Sequence, residues 1–196
     1  MLRSHKHRFI YFAPRKTGST SIHTTLNKHF DDLEQVNMNR HQMILPKSCR
    51  SYVTFMSVRN PYSRFLSLYN FFYDKPVHAG CHYDSIQKRA ELLGGDEEWR
   101  YKSMYDELHT SPERGCVPMR VDYVVHLETL EKDFNQLPFI TDKISMPHMT
   151  ISKKRASVLS SKVARMVREF YAKDFEFFGY DPDRFPWTLS MPKVYL

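Results

Sequence analysis

Glycine is scarce: six residues in a chain of 196, which rules out a low-complexity or collagen-like protein. Tryptophan occurs twice and cysteine three times. The three thiols, Cys49, Cys81 and Cys116, form no C-x-x-C pair of the kind that binds zinc. Their odd number fits reduced thiols, although a Cys81–Cys116 disulfide across a loop-rich stretch stays open. No apolar run is long enough for a signal peptide or a membrane anchor, so the expectation is a cytoplasmic chain without stable membrane insertion. No internal repeat occurs. The G-x-x-x-x-G-K-[ST] phosphate loop of ATP-using enzymes is also missing, which counts against a nucleotide kinase. What the chain has in excess is positive charge and aromatic side chains. Lys and Arg total 29 against 22 acids, for a net +7, beside 14 Phe and 12 Tyr. An anionic ligand is expected, and charge alone does not choose among a nucleotide, an acidic glycan, a nucleic acid or a membrane face.

Hydrophobic patterning predicts an α/β domain over 1–196 with a mostly parallel central sheet. "RFIYFA" (8–13) and "YVTFMSV" (52–58) read as continuous, buried strands. Ile22, Leu26 and Phe30 mark a helix between them. Asn60 and Pro61 form a helix start, followed by an apolar stripe through Tyr62, Phe65, Leu66, Tyr69 and Phe72. "DYVVHL" (122–127) is a third strand with a short helix after it, and Val163 to Tyr171 predict a long helix ending before Gly179. Residues 74–120 carry little period and read as an insert that shapes a substrate site. Its cations, with neighbouring Arg120, are Lys88, Arg89, Arg100, Lys102 and Arg114; they suit an acidic glycan or form a solvated face.

Two stretches carry chemistry. "APRKTGSTS" (13–21) runs from a strand into a helix N-terminus, where unpaired N–H groups and a positive dipole end meet three hydroxyls and Lys16. That combination is an oxyanion cradle. In "VRNPYSRFLSLY" (58–69), Arg59 ends a strand, and a guanidinium makes paired, charge-assisted bonds to phosphate. Ligands of parallel sheets sit at the strands' carboxyl ends, where both stretches lie.

Together these stretches resemble the sulfotransferase superfamily that uses 3′-phosphoadenosine 5′-phosphosulfate (PAPS). "KTGSTS" resembles its 5′-phosphosulfate loop and "RNPYSRFLSLY" its 3′-phosphate motif R-x-P-x-x-R-x-x-S-x-Y. "HLETLEKDF" and "FYAKDFEFFGYD" are similar to later family segments, and the likeness is strongest to the Golgi-type carbohydrate branch that includes heparan sulfate 2-O-sulfotransferases. The resemblance implies a three-layer fold like that of P-loop NTPases and transfer of a sulfuryl group, without a metal, to a hydroxyl of an acceptor such as a glycan. It implies that Arg15, Lys16, Thr17, Gly18, Ser19, Thr20 and Ser21 hold the 5′ end of the cofactor, and that Arg59 and Ser67 hold its 3′-phosphate. Where the family has Pro directly before the lysine, this chain has Arg15, so either Arg15 or Lys16 reaches the bridging oxygen. The glycine-rich 3′-phosphate segment of cytosolic relatives is missing, and "SKKRAS" (152–157) reads as an exposed basic run.

Sulfuryl transfer needs a proton acceptor, and histidine suits that role near neutral pH. Of ten histidines, His41 stands between the two phosphate motifs, where the carbohydrate branch often places its catalytic histidine. Glu34 and Asp84 are the carboxylate alternatives. His5 and His7 read as a loose terminus, His126 as a strand end, and "HAGCH" as a metal pattern without a second pair. A basic nucleic-acid-binding module is the non-enzymatic alternative, but no such motif stands out.

Overall fold

The protein is described by a computed structural model covering residues 1–36, 45–73, 85–93, 101–109, 116–117, 120–147 and 158–184. In chain order the elements are β1 (Leu2–Ser4), β2 (Phe9–Phe12), α1 (Ser19–His29), β3 (Leu33–Gln35), β4 (Leu45–Pro46) and β5 (Val53–Val58). Then come α2 (Pro61–Tyr73), α3 (Ile86–Glu91), α4 (Met104–Leu108), β6 (Cys116–Val117) and β7 (Tyr123–His126). The last are α5 (Leu130–Phe134), α6 (Ser161–Phe170) and α7 (Ala172–Phe177). Residues 1–59 with 104–151 form one compact unit, and 60–103 with 152–196 a second.

The first unit is built on a five-stranded sheet in the order β3-β1-β2-β5-β7. Its heart is parallel: β2 pairs with β5 and β5 with β7. All four β2 residues are buried, and so are the last five of β5, which is why neither alternates with exposed polar positions. The far side differs, because β1 pairs antiparallel with both β2 and β3 and makes the sheet mixed. The expected loose terminus is therefore a strand. Ser4 Oγ donates to both oxygens of Asp32 (2.8 and 2.9 Å), and the Lys6 N–H reaches Asp32 Oδ2 at 2.7 Å. Three residues are too few to show an alternating pattern, so the sequence conceals this strand. Ile22 and Leu26 of α1 pack with Phe9, Tyr11, Phe55 and Phe134, and the Tyr11 and Phe55 rings stack at 4.8 Å. A two-stranded sheet, β4 with β6, lies apart in the same unit's chain.

The second unit packs α2 and α6 through Phe65, Leu68, Val163 and Val167. Asn60 caps α2 as expected: its Oδ1 accepts from Tyr62 N–H at 3.0 Å and from Ser63 N–H at 3.4 Å. The single long helix predicted near the C-terminal part is two, broken at Tyr171 (φ −99°, ψ 24°). At that break the Tyr171 hydroxyl donates to the Tyr101 carbonyl at 2.7 Å, and full burial pushes its pKa far up, so it stays a donor. Apolar periodicity continues across the break, so the sequence does not signal it.

Candidate functional site

The chain leaves β2 at Phe12 and enters α1 at Ser19 through a tight loop. Lys16 and Gly18 both have left-handed backbone, with φ of 64° and 83°. For lysine that conformation costs on the order of 1–3 kcal/mol and persists only where surrounding contacts impose it. Gly18 is the N-cap of α1 and supplies no side chain, and the first turn holds no acid. The leading N–H groups thus meet no carboxylate of that turn, and the dipole end favours an external anion. A Cβ at Gly18 would stand 2.6 Å from Leu127 Cδ1, so glycine is required by space as well as by φ.

Strand β5 and the residue after it, Arg59, fix this loop from two positions. Arg59 Nη1 donates to the Lys16 carbonyl at 3.4 Å. Below it, three buried hydroxyls form a line, each step 2.8 Å: Tyr11 to Ser57, Ser57 to Thr17, and Thr17 to the Pro14 carbonyl. A hydroxyl has one hydrogen to give. Thr17 gives its hydrogen to Pro14, so Ser57 must donate to Thr17 and Tyr11 to Ser57. Tyr11, Thr17 and Ser57 have no solvent exposure. The Thr17 side chain therefore anchors the loop from within, and its backbone N–H is the part that can face an anion.

A model of the sulfotransferase family matches residues 1–181. The chain belongs to that family. Comparison with curated proteins and with solved structures finds no match. Family membership supports sulfuryl transfer as the reaction of this sulfotransferase, and the five-stranded sheet with flanking helices is an α/β fold consistent with it.

Of the residues expected to hold an anion, Arg15, Lys16, Gly18 and Thr20 are half-buried on the loop and first turn, while Ser19 and Ser21 are buried. Arg59 is brought to the loop by its bond to Lys16. Ser67 is half-buried on α2, in the second unit. His41 and Asp84 lie outside the described residues, as do Cys81, Arg100, Arg114 and the 152–157 run. Glu34 is an unpromising base for this sulfotransferase. It sits on edge strand β3, ion-paired to Arg3 and 3.3 Å from His5 Nε2.

The cationic acceptor face needs correction. Arg89 is 1% exposed, with its guanidinium 3.9 Å from the centre of the Tyr101 ring, so it is a core residue of the second unit. Lys88 and Arg120 do remain exposed, Arg120 while pairing with Asp122 at 2.7 Å. Arg64, the second arginine of the 3′-phosphate motif, is also 1% exposed and donates to the Lys102 carbonyl at 2.9 Å. Its guanidinium is therefore engaged inside the second unit. Among the described residues, His7, Asp31 and Asp32 are grouped as a metal site would be, but Lys6 and Ser4 already bind both carboxylates.

Sequence reasoning passed over Ser57 and Tyr11, which looked like ordinary strand residues, and the pair His126–Asp133. His126 ends β7 opposite Val58, with its Nδ1 and its backbone N each 2.9 Å from Asp133 Oδ2. Burial works to raise the Asp133 pKa, but the hydrogen bonds from His126 and Thr129 outweigh it and hold the carboxyl below its usual range. An ionised carboxylate only accepts, so the ring hydrogen is on Nδ1. The spacing H-x6-D in "HLETLEKD" was the available signal.

Proposed function

We propose that this sulfotransferase takes its sulfuryl group from PAPS and places it on a hydroxyl of a carbohydrate, releasing adenosine 3′,5′-bisphosphate. The observation that carries the reading is the 13–18 loop: two left-handed residues, an acid-free helix start and two cations, clamped by the strand that ends in Arg59. The donor set fits the group. Backbone N–H groups at the start of α1, with Ser19, Thr20, Ser21 and either Arg15 or Lys16, suit the 5′-phosphosulfate. Arg59 suits a phosphate through its fork, while Ser67 is carried over from the motif. The bound cofactor supplies an activated sulfuryl group. The chain's own work is to hold the cofactor's anionic end, set positive charge where negative charge collects, and remove the acceptor's proton. For that proton the candidate is His41, through a ring nitrogen. No metal is assigned a part, and a glycan with acidic groups fits the net +7 charge.

Arg59→Ala tests the reading at the nucleotide. Affinity for the bisphosphate is expected to fall by about 1.5–3 kcal/mol, the worth of charge-assisted hydrogen bonds. Affinity for 5′-AMP should fall less, so calorimetry on both ligands should show discrimination shrinking. An equal loss for both would mean that Arg59 serves the Lys16 carbonyl and reads no 3′-phosphate.

A further inference from the structure

We propose that Ser57 is a positioning residue for sulfuryl transfer, acting through Thr17 to hold the phosphosulfate loop in its binding form. This rests on the PAPS reading of that loop. Three facts support it. Ser57 is fully buried and bonds at 2.8 Å to Thr17, the residue lying between the two left-handed positions Lys16 and Gly18. Its other neighbour, Tyr11, belongs to the parallel strand that feeds the loop, so one hydroxyl bridges the strands before and behind it. Finally, Ser57 and Arg59 lie two apart, which brings both side chains of one strand's end onto consecutive loop residues, Thr17 and Lys16.

The hydrogen order derived above makes the device directional. Ser57 donates to Thr17, and Thr17 then gives its single hydrogen to the Pro14 carbonyl at the loop's entry. Removing Ser57 takes away the donor that fixes the Thr17 rotamer. Replacing Thr17 by valine keeps the shape but deletes both bonds. Either change deletes buried hydrogen bonds that tie the loop to β5, and the easiest relief is for the loop to move, since a lysine at φ 64° relaxes when its restraint is lost. A moved loop withdraws the backbone N–H groups from the 5′ end of the nucleotide and leaves the 3′ end untouched.

The test compares Ser57→Ala, Thr17→Val and Thr17→Ser with the wild type. Calorimetry would use adenosine 3′,5′-bisphosphate and adenosine 3′-monophosphate, beside amide hydrogen exchange of the unliganded protein. Ser57→Ala and Thr17→Val should each weaken the bisphosphate at least about tenfold, the scale of one net buried hydrogen bond where each variant loses two. The 3′-monophosphate should bind within about twofold of wild type, having no 5′ group for the loop to hold. The amide of Ile22, which donates to the Gly18 carbonyl at 3.2 Å, should exchange about 10–100-fold faster while those of β2 and β5 stay protected. Thr17→Ser, which keeps the hydroxyl, should restore tight binding. Wild-type affinity and loop protection in Ser57→Ala would overturn the proposal, as would equal losses for both nucleotides. Thr17→Val carries the same test if Ser57→Ala does not fold. Wild-type protein that ignores the bisphosphate would sink the cofactor reading, and the exchange comparison would still decide whether Ser57 holds the loop.

Discussion

Lys16→Ala is expected to lower sulfate transfer by about 10²–10³, the scale for deleting one preorganised charge-stabilising group. Bisphosphate affinity should fall with it, because in the proposed reading with Lys16 at the bridging oxygen its ammonium group meets the same anionic end before and during the reaction. The substitution keeps a Cβ at φ 64°, so the conformational cost remains. Lys16→Gly separates the two effects. Glycine adopts a left-handed backbone readily, so this variant should be more stable than Lys16→Ala and equally inactive. Thermal unfolding beside single-turnover transfer measures both. Recovery of activity in Lys16→Gly would show that the loop needs its shape and not the charge, and would move the catalytic role to Arg15.

His41→Ala should lower turnover by about 10²–10⁴, the range for loss of general-base catalysis. Affinity for the bisphosphate should stay within about twofold, because the base faces the acceptor. That split between turnover and nucleotide binding distinguishes it from Lys16. Its position rests on the interval between the two motifs, since the residue lies outside those the structure describes. A His41→Ala protein with near-normal turnover on its best acceptor would end the assignment. His126 would then be the first histidine to substitute, because its Nδ1 is fixed by Asp133.

The sequence shows most plainly what long, doubly buried segments do. Strands β2 and β5 are buried runs rich in aromatic and β-branched residues, and the Asn60-Pro61 start of α2 has a chemical signature of its own, so both stand out. Strands β1 and β3 are three residues each with a single leucine apiece, so pairing across the sheet made them and no local pattern does. The same limit applies to charge. Arg89 and Arg64 look like surface cations, and only tertiary packing over Tyr101 and the Lys102 carbonyl puts them inside. In the candidate site, the strand-to-helix loop was legible because Pro14 and Gly18 separate the apolar run of β2 from the helical period of α1. Its support was not. Ser57 is one serine in a strand, and its meaning depends on Thr17 arriving 2.8 Å away from a segment 40 residues earlier.

The central claim is that the 13–21 loop and Arg59 hold a nucleotide phosphorylated at both its 3′ and 5′ positions. Thermal unfolding in EDTA with adenosine 3′,5′-bisphosphate, 5′-AMP or ATP, each at equal concentration, tests it most directly. Ligand that binds only the folded state raises stability by about 2.7 kcal/mol at a hundred times its dissociation constant, which moves the midpoint by several degrees. The bisphosphate should stabilise the protein without metal, and more than either 5′-AMP or ATP does. Equal stabilisation by 5′-AMP would contradict a 3′-phosphate site, and no stabilisation by the bisphosphate would contradict the cofactor reading as a whole.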